Sequence, residues 1–208
     1  QIDLSSRGDV YIDTIKAGAK ERLKFSDLNE RTILLDSDED TEVVIYGNVT
    51  MFNAKGDENG GVRNLDVKQC KTLGKLICTN CKGITSLDVS NNIALKHLEC
   101  NYCVNLTSLD VSKNVELTEL YCTGTGIETL NVSNNKNLQY LHCARTELTS
   151  LDVSKNGALI ELNCEGNTSL MLLDIQRTTM IEDLFLNSEL PNLTTLQVAG
   201  TSESAYTA

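Results

Sequence analysis

The sequence contains few aromatic residues and almost no proline. Phe, Tyr and Trp together make up 4% of its 208 residues, Trp is absent, and Pro191 is its one proline. This scarcity of rings suits a narrow core of aliphatic layers, and a single proline argues against a proline-rich linker. The chain also lacks any run of about 20 apolar residues, which is the length that spans a bilayer. We therefore expect no membrane insertion.

Positive charge is scarce as well. The chain carries 18 Lys and Arg against 29 Asp and Glu, which gives a net charge of −11. Nucleic acids and anionic membranes bind clustered basic residues, and this composition does not supply them. The charge therefore excludes nucleic acid as a partner and is more compatible with a cationic one.

The feature that dominates the sequence is a repeat of about 22 residues. A Leu-Asp-Val element or a variant of it recurs at steps of 22, 22, 21, 21, 22 and 23 residues. The seven starts are Leu65, Leu87, Leu109, Leu130, Leu151, Leu173 and Leu196. A Leu or Ile follows eight residues after each of the first six, a Leu follows eleven residues after, and a Cys follows thirteen residues after the first five. This L-x-x-L-x-C frame is the leucine-rich-repeat pattern, and its period predicts a solenoid of about seven turns.

Each repeat contains two short segments, L-x-C and L-D-V, in which apolar and polar residues alternate. Alternation with a period of two indicates extended strands with one face in the core. Stacked turns place equivalent residues about 4.8 Å apart in parallel ladders. We therefore predict a leucine-rich-repeat solenoid with 21–23-residue turns and a parallel sheet of L-x-C strands on its concave side.

Asparagine and cysteine also recur once per turn. The asparagines lie between the two strands, where an amide side chain can satisfy backbone groups at a tight corner. They are Asn92, Asn114, Asn135 and Asn156. The cysteines take the third apolar place of the frame, which predicts buried, reduced thiols that act as small hydrophobic side chains. They are Cys78, Cys100, Cys122, Cys143 and Cys164.

Two sets of residues have patterns that also occur in metal sites. Cys78-x-x-Cys81 and Cys100-x-x-Cys103 match the spacing of a four-cysteine zinc site, but the repeat produces the same spacing without a metal. The other set is an outward column of carboxylates, for which a solvated face is the simpler interpretation and weak cation binding the alternative. It comprises Asp66, Asp88, Asp110, Asp152 and Asp174. We predict no metal site, with both alternatives open.

The repeat sets the predicted domain limits. Residues 1–42 lack it and contain short strand-like runs, so we expect a small β-rich N-terminal cap that covers the first turn. The solenoid is predicted over residues 43–200, beginning with a degenerate turn. Residues 201–208 are small and polar and are predicted to form a C-terminal tail.

The outward residues of the L-x-C strands form the predicted binding face. They flank the buried Leu of each strand and project from one side of the sheet in two columns. The candidate binding residues are His97, Glu99, Glu119, Tyr121, Tyr140, His142, Glu161, Asn163, Asp183 and Phe185. The rings on adjacent turns in the middle of this face are candidates for an interface anchor or a sugar-stacking platform. Rings that only stabilise the sheet are the alternative interpretation.

Signatures of catalysis are missing. The sequence has no G-x-S-x-G, H-E-x-x-H, P-loop or G-x-G-x-x-G motif and only two histidines. His97 and Glu99 nevertheless point the same way from one strand, with Glu119 on the next turn, which is enough for a weak metal site or an acid/base pair. We predict a non-enzymatic protein without a cofactor, and a hydrolase is the less favoured alternative.

The motif L-D-V-S-x-N-x-x-L-x-x-L-x-C, seen from Leu87 and again from Leu109, resembles the leucine-rich-repeat surface proteins of Bacteroidetes that are often called BspA-like. The resemblance covers about residues 43–200 and implies no catalytic residues. It implies an exported protein at the cell surface or outside the cell, either secreted or lipid-anchored through a removed N-terminal segment. The function that follows is an adhesin-like module that binds a host or matrix protein. A carbohydrate-binding module for a surface glycan is the alternative.

Overall fold

A computed structural model shows how the repeats fold, and it describes residues 2–16, 19–26, 31–33, 42–54, 56, 61–186 and 190–198. The predicted tail, residues 201–208, lies outside the described residues. The strands are β1 (Ile2–Lys16), β2 (Ala19–Ser26), β3 (Arg31–Ile33), β4 (Glu42–Ala54), β5 (Asn64–Gln69), β6 (Lys75–Ile77), β7 (His97–Glu99), β8 (Glu119–Tyr121), β9 (Tyr140–His142), β10 (Ser150–Asp152), β11 (Glu161–Asn163), β12 (Leu172–Ile175), β13 (Asp183–Phe185) and β14 (Thr195–Val198).

The L-x-C segments form one continuous ladder, as predicted. β6, β7, β8, β9, β11 and β13 pair in parallel, each with the strand of the next turn. The central Leu of each strand lies opposite the Leu of the next, and these leucines are fully buried from Leu76 to Leu162. The fold is therefore a β-solenoid of about seven turns with a parallel sheet and a period of about 22 residues, which confirms the predicted fold class.

The L-D-V segments differ from the prediction of a second strand in every turn. They form a ladder only where β10, β12 and β14 pair and where β5 pairs with β4. Residues 87–89, 109–111 and 130–132 are not strands, although their Leu residues are at most 8% exposed and their Val residues are fully buried. The alternation of apolar and polar residues therefore indicates which side chains are buried. Packing against the core keeps these side chains buried even where the backbone forms no ladder of strand hydrogen bonds. The prediction of two strands is therefore wrong for these three turns.

The asparagine column joins successive turns through side-chain hydrogen bonds. The Asn114 amide donates to the carbonyl of Val89 at 3.0 Å and to that of Asn92 at 2.9 Å, both in the preceding turn. Asn135 repeats the pattern one turn later, at 3.0 Å to Val111 and 2.8 Å to Asn114. The column thus satisfies buried carbonyl groups at each corner, which confirms the role predicted for it.

The cysteines are part of the core. All eight are buried, and the structure shows their thiols unpaired. Burial raises the pKa of Cys100, Cys122 and Cys143 well above the usual value, and that of Cys164 to about 12. Such thiols are not ionised at neutral pH and are therefore poor nucleophiles.

Strand β4 connects the N-terminal strands to the solenoid. Its first half pairs with β5, its second half pairs with β6, and along its whole length it pairs antiparallel with β1. β1 in turn pairs antiparallel with β2, so the main sheet extends past the first repeat. Ile12 of β1 lies opposite Ile45 of β4, and both are fully buried. The apolar face of the first turn is therefore covered by β1.

Candidate binding face

The strand register places the ten predicted site residues on one surface. We call the outward side of β6, β7, β8, β9, β11 and β13 the L-x-C face. One column on it contains Lys75, His97, Glu119, Tyr140, Glu161 and Asp183. The other contains Ile77, Glu99, Tyr121, His142, Asn163 and Phe185. The sequence predicts the same two columns, because every second residue of a strand points outward and each turn adds one residue to each column.

His97 is enclosed by two carboxylates. Its Nδ1 lies 2.7 Å from Glu119 Oε2, so the imidazole N–H donates to that carboxylate. Its Nε2 lies 3.7 Å from Glu99 Oε2, is buried and has no hydrogen-bond partner among the described residues. Nε2 therefore faces a carboxylate oxygen without a hydrogen bond to it.

Tyr121 links the two histidines of the face. Its ring lies 5.4 Å from the His97 ring and packs edge-on against the His142 ring at 4.9 Å. Its hydroxyl donates to Glu119 Oε2 at 3.2 Å. Partial burial and the nearby Glu119 carboxylate raise the pKa of Tyr121 to about 12. Both the ring and the hydroxyl of Tyr121 are thus engaged within the chain.

Three further contacts complete this set. His142 Nε2 lies 2.6 Å from Glu161 Oε1. Glu99 Oε1 accepts hydrogen bonds from the Thr79 hydroxyl at 2.8 Å and from the Asn101 amide at 3.2 Å. We call the connected side chains the face network; it comprises Thr79, His97, Glu99, Asn101, Glu119, Tyr121, His142 and Glu161.

Sequence reasoning missed Thr79 and Asn101. Each directly follows the cysteine of an L-x-C segment, one on the turn before Glu99 and one on its own turn. The repeat frame marks this place as outward and polar but does not show that both side chains reach the same carboxylate. The available signal was their common position after the cysteine, at the edge of the face.

Four of the ten predicted residues remain outside this network. One of them, Asn163, accepts a hydrogen bond from the Glu165 backbone N–H on its side-chain oxygen at 3.1 Å. The other three lie toward the other end of the face. The Tyr140 hydroxyl and the Asp183 carboxylate have no hydrogen bond or ion pair within the described part of the chain. The Phe185 side chain is 40% exposed. Tyr140 and Asp183 lie in one column, two strands and thus about 10 Å apart. We call Tyr140, Asp183 and Phe185 the open group.

The two metal alternatives find no support in the geometry. In the ranges that the structure describes, no three His, Cys, Asp or Glu side chains are arranged to hold a metal ion. Three of the four thiols donate to backbone carbonyls instead, among them Cys103 to Cys78 at 2.9 Å and Cys81 to Ala54 at 3.3 Å. Each outward Asp of the L-D-V segments accepts a backbone N–H two residues later, as Asp110 does from Ser112 at 2.8 Å. These oxygens and thiols therefore have structural partners.

Comparison with known proteins gives only partial similarity. No protein-family model matches the sequence, and no curated protein matches it. Among solved structures, the chain is similar to the functional domain of InlJ from Listeria monocytogenes, which is described as including a cysteine ladder. The identity is 27%, the match covers 69% of this chain and 39% of that one, and the TM-score is 0.46. An internalin of the same organism, inlF, is 18% identical over 72% of this chain and 60% of its own, with a TM-score of 0.34. The chain spans less than two thirds of either structure, and the fold described above rests on its own strand register.

Proposed function

We propose that this chain is a non-catalytic protein-binding module that takes its partner on the L-x-C face. The observation that supports this most directly is the open group. The exposed Phe185 ring, the Asp183 carboxylate and the Tyr140 hydroxyl lie on a rigid parallel sheet. No other described residue forms a hydrogen bond or ion pair with that carboxylate or that hydroxyl. Exposed rings on a rigid surface are frequent anchors of protein interfaces.

The extent of the face favours a protein over a small ligand. Six strands at about 4.8 Å give a surface roughly 24 Å long, which matches the scale of a protein contact. The face network supports this surface without taking part in it, because its histidines and carboxylates are bonded to each other. Tyr121 belongs to that network, so we expect its replacement by Ala to lower stability, whereas Tyr140 belongs to the contact surface.

A surface glycan is the second candidate partner. Phe185 and Asp183 stand on the same strand with the same outward direction, and a ring beside a carboxylate can stack on a sugar and accept its hydroxyl protons. A hydrolase is less compatible with the contacts. Glu119, the carboxylate nearest to the His97 imidazole, is already bonded to both His97 and Tyr121.

The resemblance to BspA-like proteins supports an adhesin-like role at the cell surface or outside the cell, as a secreted or lipid-anchored protein. Within the described residues, no helix is long and apolar enough to cross a membrane. The partner that the resemblance suggests is a host or matrix protein.

The experiment is a capture from matrix proteins and mucins, run in parallel with a glycan array. The test variant combines Tyr140→Ala with Phe185→Ala, and the matched control is Tyr102→Ala. Tyr102 is 49% exposed but lies in the corner after β7, away from the face columns.

We expect the double variant to weaken binding of the captured protein at least tenfold with little change in melting temperature, and the control to bind as the unmodified chain does. Equal binding by all three proteins would show that the L-x-C face is not the site. Binding confined to the glycan array would favour the carbohydrate alternative.

A further inference from the structure

The charges on the L-x-C face are unevenly balanced. Glu119 and Glu161 are each bonded to a histidine, and Glu99 accepts bonds from a hydroxyl and an amide. Asp183 has no such partner among the described residues, and its side chain is exposed. The sheet therefore presents one carboxylate whose charge the described chain does not compensate.

The lysine of the two face columns lies too far away to change this. Lys75 is the one lysine in the two columns, and it stands five strands from Asp183, at roughly 24 Å. That distance exceeds the Debye length of about 8 Å at physiological ionic strength, so the lysine is screened. Glu161 is the register neighbour of Asp183, and Glu182 precedes it in the chain. The surroundings of Asp183 are thus acidic on a chain of net charge −11.

One aromatic ring lies on the same strand as this carboxylate, and a second lies two strands away. Phe185 projects from the same strand two residues later, and Tyr140 lies in the column of Asp183. A guanidinium group bonds a carboxylate through its planar fork and stacks on aromatic faces, which a lysine ammonium does less well. The combination of a free carboxylate with the Phe185 ring on the same strand is complementary to an arginine side chain.

We propose that the partner of the L-x-C face is a cationic protein segment that places an arginine on Asp183, against Phe185. This inference rests on the proposed function and names the chemistry of its partner. A metal ion fits less well because the described residues offer no third ligand there. A polyanionic glycan is disfavoured by the net charge.

A single-arginine probe tests this directly. The probe is the capped pentapeptide acetyl-Gly-Gly-Arg-Gly-Gly-amide, and amide chemical shifts of the protein locate where it binds. Peptides with Lys or Glu in place of Arg are the comparison. The test variant is Asp183→Asn, and the control is Glu116→Gln, which removes the same charge from an exposed corner outside the face columns.

We expect the arginine peptide to shift the amides of residues 183–185, with a smaller effect from the lysine peptide and none from the glutamate peptide. Asp183→Asn should reduce the affinity at least fivefold, and Glu116→Gln should leave it unchanged. Equal weakening by the two variants, or shifts spread along the outward Asp column, would overturn the proposal because both indicate general attraction to negative charge.

Binding of the protein captured in the earlier experiment distinguishes the proposal that the L-x-C face is the binding site from the proposal that Asp183 binds an arginine. Asp183→Lys should weaken its binding at least tenfold and make the remaining binding less sensitive to salt. If the Tyr140 and Phe185 double variant abolishes binding but Asp183→Lys does not, the face is the site and the arginine proposal is wrong. If neither affects binding, both proposals are wrong.

Discussion

At the scale of single residues, the asparagine column shows how a polar side chain stabilises an apolar core. Each amide nitrogen donates to two carbonyls of the preceding turn, as Asn156 does to Val132 at 2.9 Å and Asn135 at 2.8 Å. The backbone carbonyl of one asparagine accepts from the side chain of the next, so the bonds form a continuous chain through the corners. Because these carbonyls are buried, water cannot replace the amide when it is removed.

Two adjacent asparagines allow a matched test of this role. Asn135 is fully buried and donates two hydrogen bonds, whereas Asn134 is exposed and donates one, to Ser112 at 3.2 Å. Asn135→Ala removes two buried hydrogen bonds, although the carbonyls of Val111 and Asn114 keep their bonds from the backbone N–H groups of Asn114 and Leu117. At about 0.5–1.5 kcal/mol per bond, we expect a loss of about 1–3 kcal/mol in the free energy of unfolding. Asn134→Ala should cost no more than about 0.5 kcal/mol, as is usual for surface substitutions. Urea unfolding measures both, and equal losses would contradict the assignment.

At the scale of elements, the antiparallel β1–β2 hairpin contains an ion group that pairs a buried carboxylate with two half-exposed cations. The Asp13 side chain is fully buried, with Arg22 bonded to its two oxygens at 2.5 and 2.6 Å and Lys20 at 2.7 Å. The Arg22 guanidinium also lies over the Tyr11 ring at 5.8 Å and the Tyr46 ring at 5.2 Å. The group thus joins β2 to β1 and, through Tyr46, to β4.

The ion group makes a pH-dependent contribution to stability. The hydrogen bonds from Arg22 hold the pKa of Asp13 far below its usual range. A carboxyl group whose folded pKa is depressed stabilises the fold above its unfolded pKa of about 4, and this contribution is lost as the pH falls from there toward the folded pKa. We therefore expect Asp13→Asn to lower the melting temperature at pH 7 and the difference from the unmodified chain to shrink below about pH 4.

Thermal unfolding of the two proteins between pH 7 and pH 2.5 measures this difference. Asp88→Asn is the control, because Asp88 is exposed and its partners are Ser90 and Lys68 at the surface. A difference for Asp13→Asn that stays constant with pH would show that its charge does not contribute.

The repeat predicted more of the sheet than of the elements around it. Within a strand every second residue points outward, and equivalent residues of successive turns are about 22 positions apart. Counting along the sequence therefore gives the strand register and residue columns such as His97, Glu119 and Tyr140. The long β1 and its antiparallel pairing could not, because a strand outside the repeat has no equivalent turn to align with. For the face network, the sequence predicts which side chains lie near one another but not which of them form hydrogen bonds. The repeat frame gives the direction in which Glu99 points, but not the rotamer that lets it accept a hydrogen bond from Thr79.

At the scale of the whole molecule, the first and the last described turns differ in how well their apolar residues are buried. β1 covers the first turn, and Leu76, in the first L-x-C strand of the repeat, is fully buried. In the last described turns the equivalent Leu184, together with Ile181, Leu193 and Leu196, is only partly buried. The stability of a solenoid is approximately a sum over turns and nearest-neighbour contacts, so a turn with one covered face is less stable than one with two.

This asymmetry predicts a gradient in amide hydrogen exchange along the chain. We expect strong protection for residues 76, 98, 120, 141 and 162, the buried leucines of successive strands, and clearly weaker protection for residue 184. Comparing the same repeat position in every turn removes differences in local sequence, and exchange of the intact chain measured by NMR gives each value. Equal protection at residues 141 and 184 would contradict the nearest-neighbour account. Protection at residue 76 as weak as at residue 184 would show instead that β1 does not stabilise the turn it covers.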